Sequence, residues 1–252
     1  MKKLLVILFI TPLIASAQKD TVASGPYNWQ QPAAKKNEIT SVVLLEGKAH
    51  DFEWMQLSAN AITGIKAIQQ TVPANQEQLI IVKSGTINIR FEDSSFTLTP
   101  NSVAVLIPRE KYSLSNLGNA SANFYSMKYR KGNADLKKNN AGRSFIKLWE
   151  NLPFKPNSIG GGRRDFFEQG TVMQKRFEIH VSTLKEGMRS HAPHTHKAEE
   201  IVLMIEGDTE MQIGEKMYSV RPGGFYYLGS NVLHAIKNIG TMPGTYFAIQ
   251  FE

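Results

Sequence analysis

A chain of 252 residues, 42% of them hydrophobic, holds material for one large or two small domains and is too apolar to be read as disordered. Its formal charge of +7 comes from 29 basic and 22 acidic residues. The basic residues fall in scattered pairs, such as Lys35-Lys36, Lys137-Lys138 and Arg163-Arg164, which argues for a solvated surface and no nucleic-acid partner. The absence of cysteine excludes disulfides and thiolate metal ligands.

In chain order, Lys2 and Lys3 precede the apolar run "LLVILFITPLIA", and Ala15, Ser16 and Ala17 then supply a small-x-small cleavage site. Residues 1–17 are therefore expected to be a secretory signal peptide cut after Ala17, making the protein periplasmic with a charge of +5. The run is about twelve residues and interrupted by Pro12, short of the roughly twenty that span a bilayer, so no stable membrane insertion is expected after cleavage. Residues 18–40 are polar and expected to form an N-terminal arm.

The remainder contains an internal repeat. Residues 77–130 lie without a gap over 199–252 at an offset of 122, and Glu77/Glu199, Gly85/Gly207, Pro100/Pro222, Leu106/Leu228, Asn116/Asn238 and Gly118/Gly240 coincide. Each copy reads as short strands between Gly, Pro and Asn turns, with little helical periodicity, so the fold class is all-β and each copy is a sandwich or small barrel. The expected domains are 41–131 and 172–252, joined by an irregular segment 132–171 that contains "GGGRR".

The second copy opens with "HAPHTHKAEEIVLMIEG". His194 and His196 are two apart and share one face of an extended chain with Glu200, while His234 arrives from a later strand. Three imidazoles and a carboxylate suit one divalent transition metal such as Mn, Fe, Zn, Ni or Cu. The equivalent positions of the first copy are Val72, Ala74, Gln78 and Tyr112, so that copy is expected to keep the fold without a metal site.

Here the sequence resembles the cupin superfamily. Its first motif is present as Gly187, His194, His196, Glu200 and Gly207, and its second as Gly223, Gly229, Asn231, His234 and Asn238. Gly187 is one residue further from His194 than usual, Gly229 stands where proline is usual, and Asn231 stands where glycine is usual. The resemblance implies two tandem cupin barrels of the jelly-roll or double-stranded β-helix type, and metal ligands His194, His196, Glu200 and His234. It also implies a homodimer, since bicupins often pair edge strands between subunits. Among bicupins the chain distantly resembles the (S)-ureidoglycine aminohydrolase group, which uses E-x-H-x3-H and a later Gln. The three-His-one-Glu set looks more like that of germins, oxalate decarboxylases and cupin dioxygenases.

Four ligands leave open metal positions, which implies an enzyme acting on a small carboxylate- or carbonyl-bearing metabolite. Oxygenase, decarboxylase, isomerase and aminohydrolase chemistry all remain open on the ligand set. The alternative is a non-catalytic cupin that binds or stores a sugar acid. Candidate catalytic residues are Tyr226 and Tyr227, of which one would face the barrel interior; His180, which shares a strand face with Glu178; and Arg164, beside Arg163 on a loop that would cap the barrel. Glu199 is expected to face away from Glu200, His191 to be solvated, and Met188, Met204, Met211 and Met217 to be core.

Overall fold

The computed structural model describes residues 21–131, 142–158 and 160–252; the expected signal peptide and its cleavage point lie outside the described residues. Among these residues no helix is long and apolar enough to cross a membrane. The first half contains β1 (Gly25–Tyr27), β2 (Ile39–Gly47), β3 (Trp54–Ile62), β4 (Ile68–Thr71), β5 (Glu77–Ser84), β6 (Ile87–Arg90), β7 (Ser95–Leu98), β8 (Val103–Leu106), β9 (Lys111–Asn116) and β10 (Ala122–Arg130). The second contains β11 (Phe145–Lys147), a 3-10 turn at Trp149–Asn151, β12 (Lys155–Pro156), β13 (Gly162–Gln169), β14 (Phe177–Leu184), β15 (Glu199–Glu206), β16 (Thr209–Ile213), β17 (Lys216–Val220), β18 (Phe225–Leu228), β19 (His234–Asn238) and β20 (Gly244–Phe251).

These strands build two jelly-roll units. In the first, a six-stranded sheet ordered β11-β8-β5-β10-β3-β2 packs on a four-stranded sheet ordered β4-β9-β6-β7. In the second, a seven-stranded sheet ordered β1-β18-β15-β20-β14-β13-β12 packs on the three strands β17-β16-β19. Each unit has its own core, around Ile80, Val82, Ile87 and Leu114 in one and Val202, Met204, Met211 and Ile236 in the other. A third core joins them, where Leu57, Leu79, Ile81 and Met127 of the first large sheet meet Ile179, Ile201, Leu203 and Ile249 of the second. Strands β5 and β15 are thus covered on both faces, which is why "EQLIIV" and "EEIVLM" run without polar alternation after their opening residues.

Among the described residues, both the expected N-terminal arm and the expected interdomain segment contribute strands. The polar arm 18–40 contains β1, which leaves the first unit and pairs with β18 of the second. The segment 132–171 contains β11, which pairs backwards with β8 of the first unit, and β13, which pairs along its length with β14. Arg163 and Arg164 therefore sit on a strand rather than a loop. The glycines that suggested a loop serve close approach instead: a Cβ on Gly161 would lie 2.3 Å from the Thr183 carbonyl oxygen. Strand β13 also extends the 122-residue repeat, because it occupies the place of β2.

Candidate metal centre

Three of the four expected ligands, His194, Glu200 and His234, line one cavity, and the fourth, His196, meets Glu200 beside it. His194 and His196 lie on the segment before β15, Glu200 is the second residue of β15, and His234 opens β19. His194 and His234 exchange backbone hydrogen bonds of 3.1 and 3.0 Å, which closes this end of the barrel. Asn231 adopts φ 60°, the left-handed turn that delivers His234 and that asparagine tolerates in place of glycine. Gly207, at φ 79°, ends the motif where a Cβ would fall 2.4 Å from the Pro243 carbonyl oxygen.

Hydrogen bonds set the imidazoles for ligation. The Nδ1 of His196 faces the Ala198 carbonyl at 2.8 Å and that of His234 faces the Val232 carbonyl at 2.8 Å. A carbonyl only accepts, so both Nδ1 atoms carry the proton and both Nε2 atoms are left for the cavity. Glu200 Oε2 lies 3.3 Å from His196 Nε2 and 3.4 Å from His234 Nε2. The ligating nitrogens of His194, His196 and His234 all lie within 4.8 Å of one another. A metal with bonds of about 2.1 Å holds its ligands roughly 3 to 4 Å apart, so small side-chain adjustments bring this set together. His194 Nδ1 is buried without a hydrogen-bond partner, as an atom awaiting a cation would be.

The electrostatics agree. Burial alone would raise the Glu200 carboxyl, but hydrogen bonds and positive charge from His196 and His234 outweigh it and hold the group at about 2. The bond to Glu200 raises His196, whereas burial and then repulsion from His191, His234 and His196 lower His194.

Above the ligands is a cavity of about 400 Å³. His180 lines it, with Nδ1 2.9 Å from buried Glu178, and burial and then Arg163 lower its pKa. Arg163 also lines it, with Nη2 2.8 Å from Glu178, while Arg176 binds the other Glu178 oxygen. His191 stands exposed at the rim, its ring centroid 4.0 Å from that of His194.

Three candidates lie elsewhere. The Tyr226 hydroxyl accepts from the Val220 N–H at 3.0 Å inside the barrel core, so the tyrosine that faces the interior braces β17 and does not line the cavity. Tyr227 faces the other unit and donates to Glu199. Arg164 lies over Trp149, 4.6 Å from its centroid, and donates to the Leu152 carbonyl; Arg163, its neighbour on the opposite strand face, is the arginine of the cavity. Tyr246 and Gln250, which line the cavity from β20, were not singled out by sequence reasoning. Their signal was the shared parity of Tyr246, Ala248 and Gln250, and burial pushes the Tyr246 hydroxyl up to about 12.

At the equivalent place in the first unit a hydrogen-bonded network stands instead. Tyr112 donates to Gln78 at 3.0 Å, Gln78 to the Ser126 hydroxyl at 2.8 Å, Ser58 to the Ser126 carbonyl at 3.2 Å and Asn60 to the Ser58 hydroxyl at 3.1 Å. These side chains satisfy one another at the positions corresponding to His234, Glu200, Ala248, His180 and Ser182.

Comparison with known proteins places the site in context. A family model described as a cupin domain matches residues 180–250, the span that includes His194, His196, Glu200 and His234. The fold is similar to AerE from Microcystis aeruginosa, at 15% identity and TM-score 0.66 over 90% of this chain and 99% of that one. It is similar to oxalate decarboxylase from Lactobacillus farciminis, at 10% identity and TM-score 0.63 over 87% and 83%. Salicylate 1,2-dioxygenase from Pseudaminobacter salicylatoxidans is a third such structure, at 8% identity and TM-score 0.60 over 79% and 71%. No curated protein sequence matches the chain.

Proposed function

Starting from a chain that belongs to the cupin superfamily, we propose that its second barrel is a metal-dependent enzyme acting on a small carboxylate- or carbonyl-bearing metabolite. The carrying observation is the convergence of His196 and His234, each with Nδ1 bound to a backbone carbonyl, on Glu200 at the base of an open cavity of about 400 Å³. His194, His196, Glu200 and His234 would hold one divalent transition metal. When bound, it supplies a Lewis acid with coordination positions open to substrate or oxygen.

The chain's own residues do the rest. Arg163 presents a partly exposed guanidinium to the cavity and orients an anionic group. His180, neutral near pH 7 and held through Nδ1 by Glu178, offers Nε2 to accept or return a proton. The Tyr246 hydroxyl stays protonated and is available as a donor. Oxalate decarboxylase and salicylate 1,2-dioxygenase both act on small carboxylates by their names, which supports this substrate class. Export to the periplasm belongs to the same reading and rests on residues 1–17.

Elemental analysis of the purified protein beside a His194→Ala/His196→Ala variant tests the centre. About one equivalent of transition metal is expected in the wild type and none in the variant. A wild-type chain that takes up no metal after reconstitution removes the proposal. Turnover of a panel of small acids by the loaded wild type, with and without oxygen, separates oxygenases from the other reactions. Stoichiometric binding without turnover would favour the storage alternative.

A further inference from the structure

The two units grip each other through a pair of matching carboxylates. Glu199 is 1% exposed and reaches into the first unit, where it accepts the N–H of His50 at 2.8 Å and of Asp51 at 3.1 Å, together with the Tyr227 hydroxyl. Glu77, its equivalent, is fully buried and reaches the opposite way, accepting the N–H of Val172 at 2.8 Å and of Met173 at 3.2 Å, and the Thr171 hydroxyl at 2.7 Å. His50 and Asp51 are themselves the equivalents of Val172 and Met173. The receiving turns match too, closed by Ala49 N–H to Phe52 carbonyl at 3.0 Å and Thr171 N–H to Gln174 carbonyl at 2.9 Å.

The two clasps differ in the residue next to each along its strand. Glu199 immediately precedes Glu200, and consecutive strand residues face opposite ways, so one peptide unit links the grip on the first unit to a metal ligand. On the other side Ala198, also buried, supplies the carbonyl that fixes the His196 ring. Residues 198–200 are thus the point at which the histidine-bearing segment joins the sheet. Glu77 precedes Gln78, whose partners are Tyr112 and Ser126.

We propose that the first unit positions the metal ligands through this clasp, making Glu199 a positioning residue of the metal centre; the inference rests on the metal-centre reading above. Three donors converge on one side chain that must accept from all of them. A carboxylate meets that demand, whereas an amide of the same shape turns its NH2 group against a donor. Loss of the clasp lets residues 198–200 shift, and with them Glu200 and the Ala198 carbonyl behind His196. This assigns the first unit a role in the chemistry of the second.

The two clasps supply their own control. Glu199→Gln and Glu77→Gln break equivalent contacts between the units, and both are expected to lower the melting temperature. Only Glu199→Gln is expected to weaken cobalt(II) binding, by about tenfold as for other residues that orient metal ligands, and to change the visible spectrum of the cobalt-loaded protein. Glu77→Gln is expected to keep the wild-type affinity and spectrum. Wild-type cobalt binding by Glu199→Gln, or an equal loss in both variants, overturns the positioning role. Failure of the wild type to bind cobalt overturns the metal reading itself and this inference with it. Should Glu199→Gln not fold, Tyr227→Phe removes one donor and keeps both amides; an unchanged cobalt spectrum there also overturns the inference.

Discussion

Removing the charge of Glu200 while keeping its shape, by Glu200→Gln, is expected to abolish a pH dependence built into the metal-free protein. Glu200 is held at about 2, and relative to an ordinary value of 4.5 this corresponds to roughly 3 kcal/mol of favourable interaction with its imidazole neighbours. Because its folded pKa is depressed, that stability is present above pH 4.5 and is lost as pH falls toward 2. His196 is raised above 6.5 by its bond to Glu200, so its contribution is complete below pH 6.5 and is lost as pH rises through the folded value. The pair therefore stabilises the metal-free chain most between about pH 4.5 and 6.5. At roughly 2 to 4 °C per kcal/mol for a protein of this size, loss of the Glu200 contribution on the acid side lowers the melting temperature by about 6 to 12 °C. Thermal unfolding of EDTA-treated protein from about pH 2 to pH 9 reads both limbs. The wild type should melt progressively lower above pH 6.5, and Glu200→Gln should lack that fall. A Glu200→Gln chain that follows the wild-type profile would refute the pairing.

Further outcomes concern the same architecture. Metal binding must displace the His196 proton, so cobalt affinity should fall by about tenfold per pH unit below the raised His196 value; equal affinities at pH 8 and pH 5.5 would contradict this. Tyr226→Phe leaves the Val220 N–H without its partner and is expected to cost about 1 to 2 kcal/mol in denaturant unfolding, with metal content unchanged. Loss of metal in that variant would return Tyr226 to the site. Gly207→Ala sets a Cβ against the Pro243 carbonyl at a left-handed φ and should cost roughly 2 kcal/mol, measured in the same way.

Much of this was legible because the physics was local. Turn residues and unbroken apolar runs marked β5 and β15, and the two-residue spacing of His194 and His196 placed them with Glu200. The same alternation rule carried His180 and Glu178 to one face, and it would have carried Tyr246 and Gln250 had it been applied to β20. What escaped depended on distant partners. Strands β1 and β11 are three residues each and exist only because sheet edges elsewhere accept them. Strand β13 hides behind glycines and shares almost no side chains with β2, so self-similarity did not reveal it. The choice between Arg163 and Arg164 required knowing that β13 is a strand. The choice between Tyr226 and Tyr227 required knowing that one face of β18 is the seam between units.

The reciprocal placement of β1 and β11 bears on how the protein can be taken apart. Each half of the chain holds one strand that belongs to the sheet of the other, β1 on β18 and β11 on β8. A cut in the segment between β10 and β11 therefore does not yield two finished domains. The N-terminal fragment would carry an orphan strand and expose the edge of β8, and the C-terminal fragment would do the same at β18, both invitations to aggregate. Made together, the fragments should complement and co-purify as one particle, because the clasps and the shared core lie in the folded bodies rather than in the severed link. Domain dissection of this chain is thus an assembly problem, and splitting it is a route to a reporter whose halves complete each other's sheets.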